Sequence, residues 1–286
     1  MQMADEATLA EIFETTRLAP FGVEVHADLS GSLSVERQAA LVHLVDRHGI
    51  VVARDQPVMT LEDQRRACAP LGRIETYDLE YVSLDDNVLN RDAMAHHSDF
   101  AYAHTPYKYL SLLAVDLVEG ESTTTFANGA LAYSLLSPAQ RKRLAALTTT
   151  ACSADHRART IGYDLMEGVP TAIRPAVIYH HRTAHPILYV NEAQHGRFNE
   201  LSRAESDALF AELFTILYAP ANILTHHWRP GDLLIFDNWS LQHGRPALDR
   251  STRRQIQRVS VADVGGGDML PGFLDPDAMA TSSKPY

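Results

Sequence analysis

Three side chains of metal-binding type stand at spacings that could bring them together. His97 and Asp99 lie two residues apart in HHSDF, and His243 follows 144 residues after Asp99 in SLQHGR. Side chains two apart on a strand share a face. An imidazole and a carboxylate at 97 and 99 could therefore approach one ion together, and a distant strand could add the second imidazole. Two histidines and one carboxylate on one octahedral face leave the other positions open, the ligand pattern of non-haem Fe(II) oxygenases. The His-x-Asp triplet alone is weak evidence, because both residue types are common on surfaces. The stretch around His243 is more specific. Gly231-Asp232 leads into an apolar strand (Leu233–Phe236), a turn at Asp237-Asn238, His243-Gly244-Arg245, and then a strand on which Arg254, Ile256 and Arg258 alternate with Gln255, Gln257 and Val259. Both arginines should share a face, and a guanidinium binds a carboxylate in a two-bonded fork. A metal site beside a pocket for a small anion is the chemistry this spacing suggests.

Composition narrows the class. A chain of 286 residues can bury an ample core. A formal net charge of −11 makes nucleic acid and anionic membrane surfaces poor partners, so the local arginines suit a small anionic ligand. Cys68 and Cys152 are the only cysteines, too few for a disulfide framework or a thiolate zinc site. No basic, apolar leader opens the chain, and no apolar run reaches the roughly 20 residues of a membrane helix. The expectation is a cytoplasmic, reduced enzyme acting on a small molecule.

The elements that must position these residues can be read in order. Leu9, Ile12 and Phe13 predict a helix over 5–17, ended by Pro20, and Gly22 to Val25 a strand. Ser34 opens a helix through His48 that Gly49 stops, followed by a buried strand, Ile50–Ala53. Thr60 and Asp63 form a capping-box pattern for a helix ending near Leu71-Gly72. Glu75 to Met94 reads as a loop walling the site. Tyr107–Val118 reads as a long strand, Asn128–Leu136, Pro138–Leu147 and Ser202–Tyr218 as helices, and Ala176–Tyr179, Ile187–Val190 and Ile223–Trp228 as strands. The fold class is α+β around an antiparallel sheet or barrel.

These motifs extend along most of the chain: GVEVHADLSGSL, HGIVVARDQ, HHSDFAY, TTTFANGALAYSLLS, WRPGDLLIFDNWSLQHGR and TRRQIQRVSV. In them the chain resembles the taurine-dioxygenase-like (TauD/TfdA) family of Fe(II)/2-oxoglutarate-dependent oxygenases. The resemblance implies a double-stranded β-helix (jelly-roll, cupin-like) core with flanking helices. It implies one oxygenase unit over 1–286, with an α/β scaffold (1–95) and a jelly-roll core carrying a helical insertion (96–264), while the Gly- and Pro-rich composition of the tail (265–286) reads as mobile or laid across the surface. It implies Fe(II), 2-oxoglutarate and O₂ as cofactor and co-substrates, with His97, Asp99 and His243 holding iron. Arg254, eleven residues after His243, would bind the far carboxylate of 2-oxoglutarate, and Arg258, fifteen after it, would lie near cofactor or substrate. The family's Gly-Asp-Thr motif becomes Ser122-Thr123-Thr124 here, which selects Thr124 as the hydroxyl beside that carboxylate, with Thr123 and Thr125 as alternatives. Related halogenases carry a small residue where Asp99 stands, so hydroxylation or desaturation is expected over chlorination. The family often forms dimers or tetramers.

Other polar residues have plainer readings. His96 should face away from His97. His226 and His227 read as barrel packing or surface, and His180, His181 and His185 as strand and loop without a carboxylate at useful spacing. Tyr77 stands where taurine-cleaving members resemble one another in carrying a substrate-binding histidine. With Tyr81, Phe100 and Tyr102 it would suit a substrate with apolar or aromatic surface, while His104 reads equally as a solvated loop. Two other functions fit the same residues: a β-barrel that binds a small ligand without turning it over, and an Fe(II) oxygenase that needs no 2-oxoglutarate.

Overall fold

The computed structural model describes residues 9, 11–75, 80–83, 92–153, 158–165, 167–249 and 253–263. The strands in chain order are β1 (Thr15–Arg17), β2 (Val23–Val25), β3 (Ile50–Ala53), β4 (Arg73–Ile74), β5 (Tyr81–Ser83), β6 (Met94–His97), β7 (Tyr109–Leu117), β8 (Thr123–Asn128) and β9 (Thr148–Cys152). They continue with β10 (Thr171–Pro175), β11 (Val177–Tyr179), β12 (Pro186–Leu188), β13 (His195–Phe198), β14 (Ile223–His227), β15 (Leu233–Asp237), β16 (Leu241–Arg245) and β17 (Arg254–Ala262). One sheet runs β1-β2-β3-β15-β7-β17-β4, with β5 paired to β17, and a second runs β14-β8-β16-β6. From β6 to β8, and again from β14 to β17, successive strands alternate between these two sheets. That alternation winds the chain as a double-stranded β-helix, as in a jelly roll.

The sheets close on an apolar interior because each contributes its alternate residues. Leu110, Leu112, Leu234, Phe236 and Ile256 from the large sheet meet Phe126, Leu224 and Leu241 from the small one. The opposite face of the large sheet, carrying Leu113, Leu233, Ile235, Val259 and Val261, packs against helix α1 (Val35–His48). Leu233 to Phe236 is therefore an unbroken apolar run because both of its faces are covered. Helix α1 starts on the Ser34 side chain, which accepts from the Arg37 N–H, and stops at Gly49, whose φ of +77° suits glycine. Helix α2 (Leu61–Cys68) carries the expected Thr60–Asp63 capping box. It sends buried Gln64 to Ser111 Oγ and Gln257 on the outer face of the same sheet.

Elsewhere the structure departs from the sequence expectations. Thr15–Arg17 is an edge strand paired with β2, so the helix expected over 5–17 does not reach Arg17; residues 5–8 and 10 of that segment lie outside the described residues. Exposed Thr15 and Thr16 favour extended backbone, and pairing with Val23–Val25 outweighs the weak helical pattern. The expected loop 75–94 contains β5, which pairs with Gln255–Gln257. The stretch between β9 and β10 includes a short helix (Ala158–Tyr163) where only strands and loops were expected. The tail beyond 263 lies outside the described residues.

The contact between β16 and β6 decides whether a site can exist, since His243 pairs directly with His97 there. Gly244 allows the approach. A Cβ on it would stand 2.7 Å from the Met94 carbonyl oxygen and 3.3 Å from the Ala95 carbonyl carbon. Gly244→Ala is expected to push the strands apart at a cost of about 1–3 kcal/mol. Thermal denaturation should show a lower Tm and metal titration a weaker site; an unchanged protein would mean the backbone has room to relax.

Candidate active site

His97 ends β6, and its ring Nδ1 lies 2.9 Å from the Ala95 carbonyl oxygen. With Nδ1 turned to that carbonyl, Nε2 is the nitrogen that faces Asp99 and His243. Nε2 of His97 stands 3.2 Å from Asp99 Oδ1, and Nε2 of His243 stands 3.7 Å from the same oxygen. The two imidazole centroids are 4.3 Å apart. Among the described residues this is the only group of three His, Cys, Asp or Glu side chains whose ligand atoms all lie within 4.8 Å of one another. Burial, reinforced by neighbouring His97, pushes His243 down to about 3 and keeps it neutral. Burial alone would raise the Asp99 carboxyl, but Arg258, His243 and His97 together hold it well below the usual carboxylate range. Neutral imidazole and ionised carboxylate are the protonation states that metal binding requires. His96 points the other way. It stacks on Tyr218 with centroids 4.9 Å apart, approaches Glu192 at 3.6 Å and meets Thr125 Oγ1 at 3.1 Å.

The two arginines of β17 face the barrel interior as the alternation requires, but they do different things. Arg258 donates to Asp99 Oδ2, leaving Oδ1 for the metal side, and lies over the Tyr107 ring at 5.6 Å. Arg254 is only 7% exposed and its Nε has no hydrogen-bond partner. No carboxylate among the described residues pairs with it. Burial and then nearby Arg245 push it down to about 10, so it remains a cation in an apolar wall. A buried charge without a counter-ion is costly unless an anion is supplied. On the facing sheet, Thr124 shares the inward face of β8 with Phe126. Trp228 Nε1 donates to Thr124 Oγ1 at 2.9 Å, which leaves the threonine hydroxyl proton to be donated elsewhere. Thr125 faces outward to His96 and the Gly244 carbonyl, so of the three threonines it is Thr124 that turns inward.

Comparison with known proteins fits this geometry. Residues 14–260 match the model of the taurine catabolism dioxygenase TauD, TfdA family. The chain belongs to that family. It is 27% identical over 273 residues to an alpha-ketoglutarate-dependent 2,4-dichlorophenoxyacetate dioxygenase of Cupriavidus pinatubonensis, covering 85% of this chain and 94% of that protein. It is 25% identical over 245 residues to a tyrosine isonitrile desaturase of Erwinia amylovora, covering 81% and 82%. Its fold superposes with a TM-score of 0.76 on a taurine dioxygenase from Burkholderia xenovorans at 22% identity, covering 88% of this chain and 90% of that one. The same score relates it to AAD-2 in complex with Mn(II) and N-oxalylglycine, at 23% identity over 88% and 98% of the two chains. This TauD/TfdA protein is thus a dioxygenase of double-stranded β-helix fold.

Of the wall residues, Phe100 sits beside Asp99 in a left-handed backbone conformation (φ +59°), its ring 4.7 Å from Tyr107 and 5.6 Å from Tyr102. Tyr77 lies outside the described residues. Tyr81 is part of β5 and exposed. The loop 98–104 is held by Arg174, which donates to the carbonyls of Ala101, Ala103 and His104. Sequence reasoning passed over Arg174 because nothing nearby in the chain marks it.

Of the histidines at 180, 181 and 185, His180 does meet carboxylates, contrary to the spacing argument, because those carboxylates come from elsewhere in the sequence. His180 Nε2 is 3.4 Å from Asp237 Oδ2 and 4.0 Å from Asp46 Oδ1. Their other nitrogens contact hydroxyls: Thr183 Oγ1 lies 2.9 Å from His180 Nδ1 and 2.5 Å from His185 Nδ1, and Tyr109 OH lies 3.2 Å from His181 Nε2. His226 is buried against Asp232 at 3.0 Å, and His227 is exposed.

Two outcomes follow for the site. His97→Gln should lose metal affinity by a factor of about 100 or more, whereas His96→Gln should stay within a few-fold of the parent in a Mn(II) titration. Equal losses would contradict the opposed faces. Burial also holds His181, His195 and His243 down to about 3. The unfolded chain takes up those protons near about pH 6.5, so their stability contribution is complete above that pH and is lost as pH falls below it. Asp237, raised by burial to about 6, acts in the opposite sense but is one group against three. The metal-free protein should therefore melt at a lower temperature at about pH 5 than at about pH 7.5. A flat or rising Tm on acidification would show that these histidines are not buried neutral.

Proposed function

We propose that this protein oxidises a small organic molecule with Fe(II), 2-oxoglutarate and O₂, by hydroxylation or desaturation, releasing succinate and CO₂. Buried Arg254, a cation with no carboxylate partner among the described residues, carries this reading. In it His97, Asp99 and His243 hold Fe(II), and Arg254 with the Thr124 hydroxyl holds the far carboxylate of 2-oxoglutarate. When bound, iron and 2-oxoglutarate supply the O₂ activation; the protein supplies orientation and a dry pocket. Arg258 keeps one oxygen of Asp99 occupied, so the carboxylate offers the metal a single atom. Trp228 fixes the Thr124 oxygen so that its proton points away from the indole. Phe126 and Phe236 pack against His243 and exclude water from its side of the metal.

The wall formed by Phe100, Tyr102 and Tyr107 favours a substrate with apolar or aromatic surface. Relatives named for 2,4-dichlorophenoxyacetate, tyrosine isonitrile and pentalenolactone F chemistry are compatible with that class, including substrates of secondary metabolism. All three ligands are intact, which favours turnover over mere ligand binding, and Arg254 favours dependence on 2-oxoglutarate. With a net charge of −11, two buried free cysteines and, among the described residues, no helix long and apolar enough to cross a membrane, we assign the protein to the cytoplasm with no nucleic-acid or membrane partner.

Anaerobic titration of the metal-free protein with Fe(II) and 2-oxoglutarate should give a visible charge-transfer band. Arg254→Ala removes a charge-assisted pair worth about 2 kcal/mol, so 2-oxoglutarate should bind about 30-fold more weakly. No band from folded, iron-loaded protein would sink the co-substrate assignment.

A further inference from the structure

Asn238 lies in the turn between β15 and β16, and its side chain is completely buried. It is not a metal ligand, yet nearly all its hydrogen-bonding capacity is spent on the segment that carries one. Its Oδ1 accepts from the Asp99 N–H at 2.8 Å, and its Nδ2 donates to the Asp99 carbonyl at 3.0 Å and to the Tyr107 carbonyl at 2.9 Å. Its own main-chain N–H donates to the Lys108 carbonyl at 2.8 Å. Both peptide groups of Asp99 are thus clamped by one amide, which is itself fixed to the far end of the same loop.

We propose that Asn238 is a positioning residue that sets where Asp99 stands relative to His97 and His243. This inference rests on the metal reading above. Three observations carry it. First, Asp99 lies beyond the last paired residue of β6, so no strand ladder fixes its backbone. The amide of Asn238 replaces the ladder there, with Gln194 Oε1 taking the Ser98 N–H at 3.3 Å. Second, Phe100 follows in the left-handed region that a bulky side chain adopts only when its surroundings require it. The bond from Asn238 Nδ2 to the Asp99 carbonyl holds the peptide that enters this conformation. Third, Asn238 lies five residues before His243 on the same chain, and Asp237 anchors that turn by accepting from the Trp239 N–H at 2.9 Å and the Ser240 N–H at 3.1 Å. One short turn therefore ties the carboxylate ligand to the strand that presents the distal imidazole. Outer groups that orient metal ligands commonly change affinity 10- to 100-fold when lost.

The test compares Asn238→Ala and the milder Asn238→Ser with Asn222→Ala in the full-length protein. Asn222 is equally buried and donates to the Leu217 and Asn128 carbonyls, but touches none of the three ligands. Mn(II) affinity is read from the free-ion electron paramagnetic resonance signal, and the Fe(II)–2-oxoglutarate charge-transfer band is recorded at saturation, alongside Tm. The expected result is a Mn(II) Kd raised about 10- to 100-fold in Asn238→Ala and less in Asn238→Ser, with a displaced band in both. Asn222→Ala should lower Tm while leaving Kd and band unchanged. A folded Asn238→Ala that binds Mn(II) within twofold of the parent would overturn the inference, as would an equal loss in Asn222→Ala. If Asn238→Ala does not fold, Asn238→Ser is judged against Asn222→Ala by the same two readouts. Failure of the parent protein to take up Mn(II) would overturn the metal reading, and this inference with it.

Discussion

An ion pair across the barrel, from Arg258 on the large sheet to Asp99 beside the small one, is the constraint on which the site depends. Burying a carboxylate among apolar strands is expensive, and without a cation it would take up a proton and cease to be a good ligand. Arg258 keeps it ionised and also takes one of its two oxygens. What remains is a single oxygen within reach of two imidazole nitrogens. The pair also links the two sheets at the point where the barrel must stay open, where apolar packing cannot do so. Two polar groups thus perform a task that Phe126, Phe236 and Ile256 perform deeper in the barrel.

Arg254 completes the contrast. Both arginines arise from one alternation on one strand, Arg254 buried and Arg258 partly so, yet among the described residues only Arg258 meets a carboxylate. Evolution of a folded protein does not tolerate an unpaired buried guanidinium for packing alone, since its removal would relieve the desolvation cost. The charge is useful only when an anion arrives. Thr124, held by Trp228 with its proton free, is the neutral counterpart: a hydroxyl whose acceptor side is already satisfied and whose donor side is not.

Much of this was legible in the sequence, for a definite reason. Strand alternation correctly separated His97 from His96, and Arg254 and Arg258 from Gln257, because successive side chains of a strand point to opposite faces. Caps at Ser34, Thr60 and Ser202 were legible because they are local hydrogen bonds between residues three apart. The resemblance, not the periodicity, supplied the topology. What stayed hidden were contacts between segments far apart in the chain. Nothing near His180 announces Asp46 or Asp237, nothing near Ala103 announces Arg174, and Asn238 read only as a turn residue. The edge strand Thr15–Arg17 was misread because three residues carry too little pattern against a partner strand's ladder.

The two histidine clusters show why residue type is a poor guide to metal binding and the convergence of ligand atoms a better one. His180, His181 and His185 lie close together, with ring centroids 4.6 and 4.9 Å apart, and two carboxylates lie near His180. Four of their six ring nitrogens, however, contact Thr183, Tyr109 and Ser240, and Asp46 is bonded to Tyr109 at 2.5 Å. Among the described residues, only His97, Asp99 and His243 bring three ligand atoms within 4.8 Å of one another. At His97 and Asp99 the hydrogen bonding to Ala95 and Arg258 lies on the far sides of the ligand atoms. Ala95 faces Nδ1 of His97, Arg258 faces Oδ2 of Asp99, and the remaining atoms converge on one point. A site is defined as much by where the fold points its ligand atoms as by which residues it brings near.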